Sequence, residues 1–491
     1  MDAEETLDPT DWPAFRAQAH TMLDNMLDHT AQLRQHPVWQ PIPQPVRDGF
    51  RQRLPRQGTD LAVLHRRFLN DIVPYSVGNA HPGFMGWVQG GGTPVGMLAE
   101  MLTAGLNANV GGRDQIPLEV ERQILQWMCE LFNFPDTANG LFVTGTSIAN
   151  LIAVLTARTA RLGTQVRRDG VAHSGSLLRA YASAGAHGCV SQAMDLAGFG
   201  SAALRTIPMN DRYQMDLGQL VQAIEADKAA GLQPFLIVGS AGTVDVGAID
   251  DLDALATLAR EQDFWFHVDG ACGALGMLAS DIAPRLRGIE RADSIAFDFH
   301  KWGQVPYDAG YILVREGAQQ LATFAAPANY LQRANRGMSA GSPWPCDLGP
   351  DLSRGFRALK TWFTIASFGA DKLGRMISHS CALAQYLKQR IEGSTQLQLL
   401  APVQLNIVCF RYTDIAAEHL DKLNAELLIA LQESGLVAPS GTRIAGQFAL
   451  RAAIVNHRTT RDDIDTLCQA TLRLGNELRA GYPSIPLAQA A

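Results

Sequence analysis

Between residues 141 and 314, short apolar runs alternate with amphipathic helices, and this constrains the fold more than any other feature. Leu141-Phe142-Val143 is a short buried strand that runs through Thr144-Gly145-Thr146-Ser147 into a helical stretch, 148–161. Residues 235–239 form a second strand, followed by Ser240-Ala241-Gly242-Thr243 and a helix over 250–261. A third, 264–268, ends at Asp269-Gly270-Ala271. The fourth and fifth, 294–297 and 310–314, flank Asp298, His300, Lys301 and Trp302. Strands alternating with helices predict a mainly parallel sheet with helices on both faces. In such sheets ligands bind beyond the carboxyl ends of the strands. Thr146, Thr243, Asp269 and Lys301 all fall at those ends.

Lys301 is a long, well-hydrated cation placed just past a buried strand. Desolvation there lowers the pKa of the amine and frees it as a nucleophile. The usual chemistry of such a lysine is a Schiff base with a carbonyl. Taken alone, the same stretch also reads as a surface loop whose lysine faces water. The turn at 144–147 is open in the same way. Free N–H groups and the helix dipole at its end make an anion site, yet a capping hydroxyl without a ligand explains the same residues. The shared placement of these pieces along one sheet edge favours the functional reading of each.

The chain of 491 residues is 47% hydrophobic, enough for a large core and more than one domain. A net charge of -7 excludes the basic footprint of a nucleic-acid binder. No run reaches the roughly 18 apolar residues of a membrane span. The acidic stretch 1–9 lacks the apolar core of a secretory signal. Seven cysteines without a C-x-x-C pair fit reduced thiols in a cytoplasmic protein, and indicate neither a disulfide framework nor a metal site.

Outside the alternating region, 12–35 and 61–72 have apolar residues at helical spacing, separated by a proline-rich passage, 37–45. This section cannot stand alone and is expected to pack on a partner subunit or on its own. Residues 81–96 are glycine-rich and contain Trp87, Gln89 and Gly90-Gly91-Gly92, which read either as backbone approaching a ligand or as a plain turn. A strong helix is predicted over 117–132. After Arg315 the pattern changes to a loop (325–350), one long helix (355–379) and an α+β tail. In that tail strands at 405–412 and 448–455 mix with helices at 418–433 and 462–478.

An anion-binding turn, an acid at one strand end and a lysine at the next are what pyridoxal phosphate needs. With these residues in place, and with His-Lys-Trp at 300–302 and His-Val-Asp-Gly-Ala at 267–271, the sequence resembles the group II pyridoxal-phosphate-dependent decarboxylases. The resemblance runs from about His81 to the C-terminus. It implies the fold type I (aspartate aminotransferase) architecture: a large domain on a mainly parallel seven-stranded sheet and a small C-terminal α+β domain. The expected divisions are an N-terminal arm (1–85), a pyridoxal-phosphate domain (86–368) and the small domain (369–491). A homodimer with its active site at the subunit interface is implied too.

Residue by residue, the resemblance assigns Lys301 to the Schiff base and Asp269 to the pyridine nitrogen. Ala271 and His187 lie against opposite faces of the ring. Thr146, Ser147, Thr243, Asp298 and His300 contact the phosphate or other parts of the cofactor. Trp87, Asn107, Asn109, Trp344 and Arg451 fall at substrate positions, Arg451 toward a carboxylate. The implied reaction is removal of the α-carboxylate from an L-amino acid. An aromatic side chain is favoured, because Trp87 matches an aromatic position and Tyr213-Gln214-Met215-Asp216 resembles bacterial tryptophan decarboxylases. An acidic or small polar substrate of the glutamate or diaminobutyrate type is the alternative. Three departures stand out. Val244 replaces a threonine, the phosphate turn is Gly145-Thr146-Ser147, and between Leu331 and Arg354 there is no tyrosine. A loop tyrosine protonates the substrate carbon in many members, so its absence opens an oxidative route to an aldehyde.

Overall fold

The structure of the protein, a computed structural model, describes residues 6–172, 175–326 and 332–482. Leu331, where the tyrosine-free stretch begins, lies outside them, as do residues 1–5 of the acidic N-terminus.

The strands in chain order are β1 (Phe84–Met85), β2 (Asn139–Val143), β3 (Leu178–Ser183), β4 (Leu204–Ile207), β5 (Gln233–Ser240) and β6 (Trp265–Asp269). They continue with β7 (Ser294–Asp298), β8 (Gly310–Val314), β9 (Leu397–Leu399), β10 (Ile407–Tyr412), β11 (Ala438–Ile444) and β12 (Gln447–Ala453). The large sheet has seven strands in the order β2-β8-β7-β6-β5-β3-β4. β7, β6, β5, β3 and β4 are mutually parallel, and β8 runs against both neighbours. The link from β7 to β8 contains no crossover helix, so the chain must return antiparallel.

This is the fold type I architecture expected. β3 and β4 are additions to the sequence reading. Leu-Arg-Ala-Tyr-Ala-Ser and Leu-Arg-Thr-Ile are short, and their small or charged residues mask the strand pattern. The long helix expected at 355–379 is instead two helices, Arg357–Phe368 and Ala370–Glu392, broken at Gly369 with φ 74°. Only glycine adopts that angle without strain.

The second sheet has five strands, β1-β11-β12-β10-β9. β1 pairs in parallel with β11, Phe84 against Ala438. Residues 84–85 therefore belong to the same sheet as the C-terminal strands. Helices Ala370–Glu392, Leu420–Glu433 and Arg461–Arg479 pack over it.

The edge of the large sheet that carries the functional residues is pinned by aromatic rings. Phe142, Phe297, Phe299 and Tyr311 meet one another at centroid distances of 4.9–5.7 Å. Each such pair contributes about 0.5–1.5 kcal/mol beyond its buried area. Together they join β2, β7, β8 and the segment leading to Lys301. Gly310 allows a close backbone approach: a Cβ there would lie 2.4 Å from Gly145 Cα, in the turn before helix Thr146–Leu162.

The N-terminal helix Trp12–Ala31 buries no residue within the chain, and Trp12 and Phe15 are exposed. Leu98, Met101, Leu102 and Leu106 of helix Pro94–Leu106 are exposed as well. All seven cysteines are free. Among the described residues no helix is long and apolar enough to cross a membrane.

Candidate active site

β5, β6 and β7 end side by side, with Ser240 paired to Asp269 and Asp269 to Ala296. Beyond those ends lies a cavity of about 500 Å³ whose lining includes Trp87, His187, Thr243, Asp269, Lys301 and Arg451. Residues from separate segments of the chain thus meet at one place.

At one end of the cavity helix Thr146–Leu162 begins. Thr146 N donates to Asp298 Oδ1 at 2.9 Å. Thr146 Oγ1 is buried and has no hydrogen-bond partner. A buried hydroxyl left unpaired at a helix N-terminus is a place prepared for an anion. Ser147 lines the same wall.

Lys301 Nζ lies 2.8 Å from Asp298 Oδ2. Burial pushes the amine's pKa down, but the Asp298 carboxylate, with help from Asp269 and Cys272, outweighs it and leaves the pKa raised. This corrects the expectation of a lysine freed by desolvation. Its partner holds it as an ammonium. His300 stands behind the pair, 3.7 Å from Asp298 Oδ2. His300 Nδ1 accepts from Ala309 N at 3.1 Å, which leaves the proton on Nε2 facing Asp298. Burial lowers the pKa of His300, so the ring is neutral.

Asp269 accepts from Ala271 N at 3.2 Å and from Asn150 Nδ2 at 3.2 Å. Burial raises its pKa, and those two bonds and Lys301 oppose the rise. His187 caps helix Gly188–Leu196, its Nδ1 accepting from Cys189 N at 3.1 Å. Thr243 Oγ1 accepts from Ala248 N at 3.0 Å and still has its own proton to give.

Arg451 on β12 is buried, not at the surface. Its guanidinium donates to the carbonyls of Val244 and Asp245 and to Ser440 Oγ. None of these acceptors is a carboxylate. Trp87 stands at the mouth with a left-handed backbone, φ 49°, and 54% of its surface exposed.

Three residues expected at the substrate lie outside this cavity. Asn107 ends helix Pro94–Leu106 in the left-handed conformation, φ 47°, which asparagine tolerates. Asn109 Oδ1 accepts from Gly111 N at 3.0 Å and Arg354 N at 3.2 Å and so ties two loops together. Trp344 is 1% exposed, its ring in contact with the guanidiniums of Arg113 (4.6 Å) and Arg333 (3.5 Å). The Asn109 and Trp344 side chains hold loops in place. The glycines at 90–92 pack on protein rather than on open space. A Cβ at Gly90 would lie 2.4 Å from the carbonyl oxygen of His300.

The sequence reading missed Asn150, one turn into the helix from Thr146, and Tyr307, which lines the cavity and stacks on His300 at 4.2 Å. Asn150 looks like any polar residue in a helix. Tyr307 is six positions past Lys301, and only the return of the chain into β8 brings it back.

The unpaired Thr146 hydroxyl, the carboxylate at Asp269 and the amine at Lys301 fit the phosphate, ring nitrogen and aldehyde of pyridoxal phosphate, in a cavity of suitable size. When bound, the cofactor supplies an electron sink for the carbon that loses its carboxylate. Fold and site together define a pyridoxal-phosphate enzyme of fold type I. The chain belongs to the pyridoxal-dependent decarboxylase family, whose conserved domain matches residues 43–413. The protein is a pyridoxal-phosphate-dependent amino acid decarboxylase. It is 29% identical over 486 residues to an aromatic-L-amino-acid decarboxylase of Bacillus atrophaeus, covering 96% of this chain and 97% of the relative. A crystal structure of Oryza sativa TDC with PLP and tryptamine superposes with a TM-score of 0.87 at 25% identity, covering 96% and 100% of the two chains. The glutamate decarboxylase domain of a Vibrio parahaemolyticus diaminobutyrate-pyruvate transaminase and L-2,4-diaminobutyrate decarboxylase gives 0.85 at 27% identity, covering 96% and 97%.

Proposed function

We propose that this decarboxylase converts an L-amino acid with an aromatic side chain to its amine and carbon dioxide, in the cytoplasm and as a homodimer. The observation that carries the substrate class is Trp87, a half-exposed indole in the lining of the cavity that holds Lys301. Aromatic relatives in Bacillus atrophaeus and Oryza sativa support it. The dimer is supported by apolar side chains that one chain leaves uncovered, Trp12 and Phe15 on the first helix and Leu102 and Leu106 on a later one. The free thiols support the compartment.

In this reading Lys301 holds the cofactor and Asp269 keeps its ring nitrogen charged. His187 and Ala271 enclose the ring, and Thr146, Ser147, Thr243, Asp298 and His300 contact the phosphate or other parts of the cofactor. Arg451 turns its unpaired charge to the substrate's carboxylate. The same arginine favours a second reading, an acidic side chain, for which the Vibrio parahaemolyticus relative is the parallel. Assaying purified enzyme with tryptophan, tyrosine, phenylalanine, glutamate and 2,4-diaminobutyrate separates them. The aromatic reading expects the highest kcat/KM for one of the first three, and glutamate or diaminobutyrate in first place overturns it.

Trp87→Ala is expected to raise KM for the aromatic substrate by about 1–3 kcal/mol of lost contact, read from initial rates. An unchanged KM would place the substrate's side chain elsewhere.

The product depends on how the substrate carbon regains a proton. Residues 332–354 contain no tyrosine, but Tyr307 lines the cavity from the same chain. Burial pushes its hydroxyl up to about 12, so it keeps its proton and is an acid in place. His187 is a second. A positioned acid is worth roughly 10²–10⁴ in proton transfer. Amine is therefore expected to dominate, with a minor aldehyde fraction that is larger in air than under argon. Carbon dioxide, amine, ammonia and peroxide measured together decide this. Aldehyde as the main product would show that neither acid reaches the carbon.

A further inference from the structure

Behind Asp269 the structure holds a line of polar side chains of which only Asn150 has entered the site as described so far. Trp265, His267 and Asp269 alternate along β6 and so share one face of the sheet. His267 pairs with Ser294 across the β6–β7 register. Asn150, on the helix that covers this face, closes the line. Trp265 Nε1 donates to Ser294 Oγ at 2.9 Å. His267 Nδ1 lies 2.8 Å from Ser294 Oγ, and its Nε2 lies 2.8 Å from Asn150 Oδ1. Asn150 Nδ2 reaches Asp269 Oδ2 at 3.2 Å and Cys189 Sγ at 3.1 Å. Asn150, His267 and Ser294 are each at most 1% exposed, so bulk solvent does not reach these bonds.

The chemistry of the two ends sets the direction. An indole N–H only donates, and an ionised carboxylate only accepts. Asn150 must present its amide nitrogen to Asp269, and its oxygen then faces His267. Burial pushes the His267 pKa down to about 3, so the ring is neutral with one donor and one acceptor. Its proton is therefore on Nε2, and Nδ1 receives the hydroxyl proton of Ser294. The indole occupies the remaining side of that hydroxyl. Run backwards, with Asp269 protonated and donating, His267 would carry its proton on Nδ1. Ser294 Oγ would then receive from both His267 and Trp265, and its own proton would have no partner in the line. An unpaired buried donor costs about 1–3 kcal/mol. The forward arrangement leaves nothing unpaired and points every dipole at the carboxylate.

We propose that Trp265, Ser294, His267 and Asn150 form a one-way hydrogen-bond relay that keeps Asp269 ionised in its buried position, and thereby keeps the cofactor's ring nitrogen protonated. They are positioning residues, since only Asp269 faces the cavity. The other groups that face Asp269 are Lys301, Cys272, His187 and Cys189, and the relay acts in addition to them.

The test uses Ser294→Ala, which removes the central hydroxyl, and Trp265→Phe, which removes the terminal donor three side chains from Asp269. In cofactor-free protein, ¹³C NMR of labelled aspartate follows the ionisation of Asp269. Fluorescence quenching gives the affinity for pyridoxal phosphate. Ser294→Ala is expected to raise the proton affinity of Asp269 and to weaken cofactor binding by about tenfold each, and Trp265→Phe to do both by a smaller factor. A merely structural role would lower the melting temperature and leave both quantities within twofold of the parent protein, and that result overturns the relay. Neither measurement uses an amino acid, so the outcome is independent of which substrate proves correct.

Discussion

Lys301→Ala is expected to abolish turnover, by a factor of at least about 10⁴, and to remove the visible absorbance of covalently attached cofactor. The reason is chemical and positional. A Schiff base needs a primary amine, and among the described residues the cavity lining contains no other lysine. Alanine would also strip Asp298 of its ammonium, and a buried carboxylate that loses its partner is destabilising by about 3–5 kcal/mol. Lys301→Arg separates the two effects. A guanidinium keeps the charge beside Asp298 but does not form the Schiff base. It should restore the melting temperature toward that of the parent and leave the enzyme inactive and without the absorbance band. An active Lys301→Arg protein would mean that the covalent link is made elsewhere.

Asp269→Asn is expected to lower kcat by about 10²–10³ at saturating cofactor while the protein still binds pyridoxal phosphate. Two consequences of the change act together. The amide carries no charge to hold a proton on the ring nitrogen, so the ring is a poorer electron sink. The carboxylate also accepts on both oxygens, from Ala271 N and from Asn150 Nδ2. An amide has one accepting atom, so its nitrogen must face one of those donors. Rate measurements across a range of cofactor concentrations separate loss of affinity from loss of chemistry. A kcat equal to that of the parent protein would show that the charge at this position does not drive the reaction.

Much of this site is legible in the amino-acid sequence. Leu141 to Val143, Phe235 to Gly239 and Ser294 to Phe297 are continuous apolar runs because both faces of their sheet are covered. Short runs punctuated by helices leave few topologies, and strand-end position alone brings Thr146, Thr243, Asp269 and Lys301 to one edge. What the sequence hides depends on contacts between distant segments. Asn107, Asn109 and Trp344 carry polar and aromatic groups suited to a ligand, but partners such as Gly111, Arg354 and Arg113 use the last two to hold loops.

By itself the sequence determined the layered sheet, the helix that begins at Thr146, and the placing of Asp269 and Lys301 at neighbouring strand ends. These follow from local periodicity, which is set by neighbours along the chain. The charge on Lys301, the access of Tyr307 to the cavity and the line of donors behind Asp269 were decided only by the tertiary structure. Protonation depends on distance and burial, and the side chains that act on it, Asp298 on Lys301 and Lys301 and Asn150 on Asp269, come together only in the folded chain.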